Sequence, residues 1–448
     1  MSLQKDRRMY MDMKSYKITA WAMVLTAACM TGCSEKQLSD DYSFTESSTV
    51  VVAENATENE IPTTTVSIEE TVTVVTAVQD SSATEVLKLS NSDEAIVVQT
   101  NSSDIFTERD LCLTPDLSEA VIINAADNSD YTISSNGVYY LTGKAENFTV
   151  NVDADKSDKV QIVLENAEIS NDHFPVIYVK SADKCFITPL SENTLSVVGS
   201  YTADGETNTD AVIYSKDDIV LNGTGTLTIS SPYGNGISAK DDFKATGGIY
   251  NISCASDGIE VNNSISICGG EFNILSNKDA IHCENSDDDT LGSVYIENGQ
   301  FNLSAVSDGI QATSSMTIDG GTFEIESAEG FESTYIQIND GDISIKASDD
   351  GINATRKSSA FDVLIEFNGG NTTVVMGAGD TDGIDANGSI IVNGGTIDVT
   401  GNSTFDYEGS AQYNGGTIIV NGTQVNEIPQ SMMGGRGGFG GGHGGRMW

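Results

Sequence analysis

The stretch Asp257-Gly258-Ile259, followed about ten residues later by Gly269-Gly270-Glu271-Phe272-Asn273-Ile274, recurs along this chain. The same cassette appears as Asp308-Gly309-Ile310 with Gly320-Gly321-Thr322-Phe323, and as Asp382-Gly383-Ile384 with Gly394-Gly395-Thr396-Ile397. The acidic positions 257, 279, 308, 329, 350 and 382 are separated by 22, 29, 21, 21 and 32 residues. A propeller blade needs roughly 40 residues or more, whereas shorter periods are typical of solenoids. The spacing therefore predicts a β-helix, in which equivalent residues of successive repeats stack.

Apolar and polar residues alternate after each Gly-Gly step, as in Phe272 and Ile274 or Phe323 and Ile325. A period of two over five or six residues predicts a half-buried strand. The Asp-Gly steps are predicted to form turns between strands, because Asp bonds its own backbone and Gly accepts a positive φ. The β-helix domain is expected to span residues 111–425.

The charge of the chain limits its partners. The 66 acidic and 22 basic residues give a net charge of −44. Such a charge excludes nucleic acid and anionic membrane surfaces as partners. An acidic partner would need a bridging cation.

The N-terminus resembles an export signal. Lys14 and Lys17 precede the apolar run Ile18–Ala28, and Met30-Thr31-Gly32-Cys33 resembles a bacterial lipobox. Residues 1–33 are thus predicted to be a lipoprotein signal with Cys33 lipidated, which would leave the protein extracellular and bound to the cell membrane only through its lipid. Residues 34–110 are predicted to be a disordered Ser/Thr/Glu-rich linker, or alternatively to hold a first strand or two. Residues 426–448 are predicted to be a flexible Gly-rich tail.

A row of carboxylates is the first candidate site. Stacked coils lie about 4.8 Å apart, so repeated aspartates would repel one another unless a cation lies between them. Ca²⁺ prefers oxygen ligands in variable number, which predicts a calcium row; the alternative is that Asp before Gly serves only the turn. The row consists of Asp257, Asp279, Asp308, Asp350 and Asp382, with Glu329 in register.

A second candidate site is the pair Lys216-Asp217-Asp218 and Lys240-Asp241-Asp242, which lie 24 residues apart, about one coil. Asp241 and Asp242 are additional candidate metal ligands. The lysines either form solvated ion pairs or contact an acidic sugar, where a neutral Lys240 or Lys216 could abstract a proton.

Tyr233, Tyr295 and Tyr335 either stack on sugar rings or serve ordinary packing. The three histidines, His173, His282 and His443, are too scattered in sequence to predict a histidine metal cluster.

The chain resembles a family of bacterial secreted carbohydrate-binding β-helix proteins, which are similar to pectate lyases and bind cellulose and acidic polysaccharides with calcium. The resemblance covers about Leu117 to Gly422, and the segments that carry it are Val152–Lys156, Ile177–Asp183, the two Lys-Asp-Asp steps, Ser231–Ile237 and Ser410–Gly422. It implies a right-handed parallel β-helix, bound calcium, and carbohydrate binding with weak or no lyase activity. The sequence departs from the pattern at Glu329-Gly330-Phe331, Cys268 and Cys283.

Three functions are predicted from these features. The leading one is a cell-surface lipoprotein that binds polysaccharide, of the polygalacturonate or cellulose type, through a calcium-loaded β-helix without catalysis. The first alternative is a calcium-dependent pectate lyase with Lys240 or Lys216 as base. The second is a structural adhesin that binds no glycan.

Overall fold

A computed structural model describes residues 105–378 and 381–430, and every element that it defines there is a β-strand. The predicted signal sequence with Cys33, the predicted linker up to residue 104 and the part of the predicted tail from residue 431 lie outside the described residues. No helix with the length and apolar character needed to cross a membrane occurs in the part of the chain that is described.

Thirty-four strands follow one another along the described residues. The first half comprises β1 (Val121–Asn124), β2 (Tyr131–Ile133), β3 (Gly137–Glu146), β4 (Val150–Asp153), β5 (Lys159–Asn171), β6 (Ile177–Ser181), β7 (Lys184–Pro189), β8 (Glu192–Val197), β9 (Ala211–Ser215), β10 (Asp218–Leu221), β11 (Thr226–Ser231), β12 (Asn235–Ala239), β13 (Asp242–Cys254), β14 (Ile259–Val261), β15 (Ser264–Ser276), β16 (Ile281–Cys283) and β17 (Ser293–Ile296). The second half comprises β18 (Gln300–Ala305), β19 (Asp308–Ala312), β20 (Ser315–Ile318), β21 (Thr322–Ser327), β22 (Glu329–Ser333), β23 (Tyr335–Ile338), β24 (Asp342–Ala347), β25 (Ile352–Ala354), β26 (Leu364–Phe367), β27 (Asn371–Met376), β28 (Asp382–Ala386), β29 (Ser389–Val392), β30 (Thr396–Thr400), β31 (Ser403–Tyr407), β32 (Ala411–Tyr413), β33 (Thr417–Val420) and β34 (Thr423–Val425).

The strands form three parallel ladders, in which each strand pairs with its counterpart in the next repeat. Ladder 1 contains the strands before the Gly-Gly step, for example β17, β20, β23 and β26. Ladder 2 contains those after it, for example β18, β21, β24 and β27. Ladder 3 is a separate 12-stranded sheet of the Asp-Gly strands, from β2 to β31. An all-β fold of parallel strands is thereby confirmed.

Stacks of identical or similar side chains fill the space between the ladders. The rings of Tyr250, Phe272, Phe301 and Phe323 follow one another at centroid separations of 5.2, 5.3 and 4.6 Å. Ladder 3 contributes buried Ile259, whose counterparts in the following repeats include Ile281, Ile310, Phe331, Ile352 and Ile384. Burial of this apolar surface is the main force that holds one repeat on the next.

Two of the four Asp-Gly steps begin strands rather than turns, which corrects the prediction from sequence for these two: β19 starts at Asp308 and β28 at Asp382. The Asp-Gly steps at Asp257 and Asp350 lie just before β14 and β25. Their glycines do not have positive φ; the second glycine of each Gly-Gly step does, as in Gly270 at 113°. Gly258 is needed for space, because a Cβ there would lie 2.5 Å from both Ala280 O and Ile274 Cγ2.

A segment before the first strand packs against the fold. Asp110 is fully buried, with Lys184 Nζ at 3.5 Å and Lys244 Nζ at 3.7 Å from its carboxylate. Thr246 and Asn222 donate hydrogen bonds to its carbonyl oxygen. Residues 105–110 are therefore part of the packed structure, although the sequence predicts that they belong to the linker.

The last strand reverses direction. β34 pairs antiparallel with β33, which itself continues ladder 2 from β30. Asn421 and Gly422, with φ of 50° and 74°, form the tight turn between them.

Candidate functional site: carboxylate groups along ladder 3

Two rows of polar side chains lie side by side along ladder 3. The first is the predicted aspartate row, whose residues lie at or just before the start of each strand. The second lies three residues further on, between two buried apolar residues in most repeats, and comprises Glu260, His282, Gln311, Glu332, Asn353, Asp385 and Asp406 in continuous register. The prediction from sequence named the aspartate row and missed this second row. The signal for the second row is present in the sequence as one polar residue between apolar neighbours.

The aspartates bind backbone of the next repeat. Asp257 Oδ1 accepts the N–H of Asp279 at 3.0 Å, and Asp279 Oδ1 accepts that of Asp308 at 2.9 Å. Asp350 Oδ1 accepts the N–H of Asp382 at 3.1 Å. Between these pairs the series is interrupted at Glu329, whose N–H bonds Ser307 O instead. These aspartates therefore have a structural use, because one oxygen of each accepts a backbone N–H of the next repeat. The other oxygens of Asp257 and Asp279 face Lys278 and His282.

We distinguish four groups among the predicted metal residues and their neighbours, three along ladder 3 and one at the Lys-Asp-Asp steps. We name them the histidine group (Asp257, Asp279, His282), the central group (Asp308, Glu329, Glu332), the C-terminal group (Asp350, Asp382, Asp385) and the corner group (Asp218, Asp241, Asp242). Ligand atoms of the histidine group lie within 4.8 Å of one another, and so do those of the corner group.

In the central group, carboxylates crowd together with little compensation. Burial raises the pKa of Asp308 to about 8, with further contributions from the charges on Asp279, Glu329 and Glu332. Burial, then the charge of Glu332, raises the pKa of Glu329 to about 7. Lys357 Nζ lies 2.7 Å from Glu332 Oε2. A cation with oxygen ligands would stabilise the ionised form of this group.

The C-terminal group has the same character. Burial, followed by the nearby charges of Asp350 and Asp382, raises the pKa of Asp385 to about 7. Burial raises the pKa of Asp350 to about 6, against the hydrogen bond that it accepts from Asp382. All three residues offer only oxygen atoms.

The corner group contains the predicted Lys-Asp-Asp steps, which stack in adjacent repeats. Asp242 N donates to Asp218 Oδ1 at 3.3 Å, while Asn263 and Ser264 donate to Asp241 and Asp242 at 2.6 and 2.7 Å. Burial and then the charges of Asp242 and Asp241 raise the pKa of Asp218 to about 6. This group does not belong to the aspartate row of ladder 3.

The two candidate lysines have different surroundings. Lys240 Nζ lies 3.2 Å from Glu260 Oε2, and its side chain is 30% exposed. Lys216 is exposed beside the buried Asp217, whose carboxylate pairs with Lys156. Lys240 is therefore engaged in an ion pair at the edge of ladder 3.

The three candidate tyrosines do not form one platform. Tyr233 is 59% exposed in the corner between β11 and β12. Tyr295 donates from its hydroxyl to Asp319 Oδ2 at 2.8 Å. Tyr335 donates to Glu366 Oε2 at 2.8 Å and stacks on Phe361. Tyr233 is the most accessible of the three to a sugar ring.

Ladder 2 carries a different surface, a shallow groove on its outer side that is lined by both polar and apolar residues. One depression of about 500 Å³ is lined by Asn251, Asn273 and Leu275 among others. Asn302 continues it, and the three asparagines form a chain of hydrogen bonds of 3.0 and 2.7 Å. A second depression of about 430 Å³ follows near Val306 and Val375. This groove is a second surface that could hold an extended glycan.

Comparison with known proteins identifies the family. A family model described as "Carbohydrate-binding domain-containing protein" matches residues 127–380, more than half of the 448-residue chain. A protein of the same description from Acetivibrio thermocellus is 33% identical over 120 residues, which is 26% of this chain and 42% of the relative. The matched part thus spans less than half of that relative's length. A solved structure, that of the polysaccharide lyase-like protein from C. thermocellum in its gadolinium derivative, is 25% identical with a TM-score of 0.45, covering 49% of this chain and 96% of the other. The chain belongs to the family of carbohydrate-binding domain-containing proteins.

Proposed function

We propose that the protein binds polysaccharide without catalysis, and that calcium ions held by carboxylate groups of its ladders connect it to an acidic glycan. The corner group carries this proposal, because ligand atoms of Asp218, Asp241 and Asp242 lie within 4.8 Å of one another, and the central group supports it. Asp308 and Glu329 both have raised pKa values, and this crowding of negative charge is relieved by a bound dication.

Calcium fits the donors of three groups. The central, C-terminal and corner groups offer carboxylate oxygens only, which is the ligand type that Ca²⁺ prefers. Ca²⁺ takes six to eight oxygen ligands, so three carboxylates leave coordination positions for water or for the carboxylates of a glycan. Asp241, Asp242, Asp308, Asp350 and Asp382 are the ligands that we assign to calcium.

A bridge of this kind explains how a chain of net charge −44 would bind a polyanion. Without cations the two would repel each other. We therefore favour a polygalacturonate-type partner over a neutral cellulose-type one at these groups. We further propose that the repeats wind as a right-handed parallel β-helix, and that a lipid on Cys33 anchors the protein outside the cell.

The rival function is a calcium-dependent pectate lyase. Its base would be Lys240 or Lys216, and a base must be neutral to accept a proton. The carboxylate of Glu260 pairs with the ammonium group of Lys240, which favours the charged form of the lysine. This ion pair supports a non-catalytic role for Lys240.

The test is binding of the purified full chain to polygalacturonate and to cellulose, in calcium and then in chelator. Absorbance of unsaturated product is followed in the same samples. We expect binding to polygalacturonate in calcium, its loss in chelator, and no product. Product that disappears with Lys240→Ala or Lys216→Ala would establish the lyase instead.

Two variants then separate the two surfaces. Asp350→Asn with Asp385→Asn removes charge from the C-terminal group, whereas Asn273→Ala alters the groove of ladder 2. We expect only the first to weaken calcium-dependent binding. Loss of binding through Asn273→Ala alone would transfer glycan recognition to the groove, and calcium that raises thermal stability without any glycan binding would favour the adhesin.

A further inference from the structure

The histidine group differs from the other three by one nitrogen atom. At the position three residues after the aspartate, other repeats have Glu260, Gln311, Glu332, Asn353 and Asp385, all with side-chain oxygen, whereas this repeat has His282. The carboxylates that face it are deeply buried, since the side chains of Asp257 and Asp279 are 4% and 8% exposed.

The orientation of the imidazole is determined by a carboxylate on its outer side. His282 Nε2 lies 3.2 Å from Glu284 Oε2 and makes a hydrogen bond with it. A carboxylate can only accept, so Nε2 carries the proton of this bond. In the neutral ring, Nδ1 then presents a lone pair.

That lone pair faces two further carboxylates. Nδ1 is 3.1 Å from Asp279 Oδ2 and 3.9 Å from Asp257 Oδ1. The atom is buried and has no hydrogen bond. In the neutral ring, three electron-rich atoms therefore converge on one small volume, and the positive charge that this arrangement needs is supplied either by a proton on Nδ1 or by a metal ion.

We propose that Asp257, Asp279 and His282 bind a divalent transition metal ion such as Zn²⁺, Mn²⁺ or Co²⁺. With metal–ligand bonds of about 2.0 to 2.1 Å, neighbouring ligand atoms lie about 3.0 to 3.4 Å apart. The 3.1 Å separation already fits this range, and the 3.9 Å one must close by about half an ångström. The Glu284–His282 contact is the outer-shell carboxylate that metal-binding histidines commonly have.

The nitrogen ligand makes this site selective against calcium. Ca²⁺ takes oxygen ligands, while imidazole suits Zn²⁺ and its neighbours. Lys278 Nζ lies 3.5 Å from Asp257 Oδ2, but its side chain is 62% exposed and free to swing away when an ion binds. The calcium expected from sequence at Asp257 and Asp279 is thereby replaced by a different metal, and the site does not depend on glycan binding.

The full chain, stripped with chelator, is titrated calorimetrically with Zn²⁺ and Mn²⁺ in the presence of millimolar calcium. Co²⁺ is titrated in parallel. Its visible absorption distinguishes ligation by nitrogen and oxygen atoms from ligation by cysteine thiolates. We expect one tight site that calcium does not displace. His282→Gln should weaken it at least tenfold, and Glu284→Gln about tenfold to a hundredfold.

His173→Gln is the matched control, because His173 is exposed and outside the group. It should bind the metal as the unaltered chain does. Equal metal affinity in His282→Gln, or displacement by calcium, would overturn the proposal. Absence of stoichiometric binding in the folded chain would also overturn it, and would mean that a protonated His282 neutralises the two aspartates. Calcium binding at the all-oxygen groups is measured separately, so failure here leaves the proposed function standing.

Discussion

Replacing Asp308 by asparagine should stabilise the protein when no divalent cation is present. Asp308 is 7% exposed, and its own carboxylate does not accept the N–H of the next repeat, because Glu329 N bonds Ser307 O. The substitution thus removes charge without removing a hydrogen bond to the backbone of the next repeat. At a strand spacing of about 4.8 Å and an effective dielectric near 20, each neighbouring carboxylate costs about 3.5 kcal/mol.

The gain in stability from Asp308→Asn must depend on pH. The pKa of Asp308 is raised in the folded chain to about 8, so the folded state holds this proton more tightly than the unfolded one. Stability is then highest when Asp308 is protonated, and falls as pH rises from the ordinary range of aspartate through about 8. Because proton uptake and solvent relieve part of the repulsion, we expect Asp308→Asn to raise the free energy of unfolding by about 1 to 3 kcal/mol at pH 9 and by little at pH 5.

Urea unfolding in chelator at pH 5 and pH 9 measures this difference. Glu324→Gln is the control, since Glu324 carries the same charge but is exposed on ladder 2. With calcium added at pH 9 the order should reverse, because the neutral amide of the variant is a weaker calcium ligand than the carboxylate of Asp308. An equal gain at both pH values, or a loss of stability in chelator at pH 9, would refute the reasoning.

Three further substitutions test the packing. Phe301→Ala should lower the free energy of unfolding by about 3 to 5 kcal/mol in a denaturant titration, because its ring is stacked on both sides; an effect below about 1 kcal/mol would contradict that contact. Gly258→Ala should lower the melting temperature, since its Cβ would lie 2.5 Å from two atoms, whereas Gly377→Ala, with no atom nearer than 3.4 Å, should not. Asp110→Ala should cost about 3 kcal/mol by leaving two lysines unpaired, and unchanged stability would show that residues 105–110 do not hold the fold.

Much of the strand pairing follows from the sequence. Alignment on the Gly-Gly step predicts that Phe272, Phe301 and Phe323 are equivalent, and the structure pairs them in register. It also pairs Asp308 with Glu329, as the spacing predicts. These pairings can be predicted because period and polarity are local properties of the chain.

The role of the Asp-Gly step could not be found in the same way. Whether a glycine serves a turn or a close contact depends on atoms in the neighbouring repeat, such as Ala280 O against Gly258. The grouping of Asp257 with His282 has the same origin. These two residues lie 25 positions apart in the sequence, and only the pairing of β14 with β16 brings their repeats together.

The reversal at β34 bears on how long such a molecule can be. Equivalent repeats can in principle be added without limit. The last parallel strand of a ladder exposes unpaired backbone groups, and a second chain that paired with them could continue the ladder into a fibre. In ladder 2 the chain folds back at Asn421 and Gly422 and uses the edge of β33 for itself. The hairpin of β33 and β34 thus occupies the edge at which another chain could pair in parallel. This favours discrete molecules over end-to-end polymers formed through ladder 2.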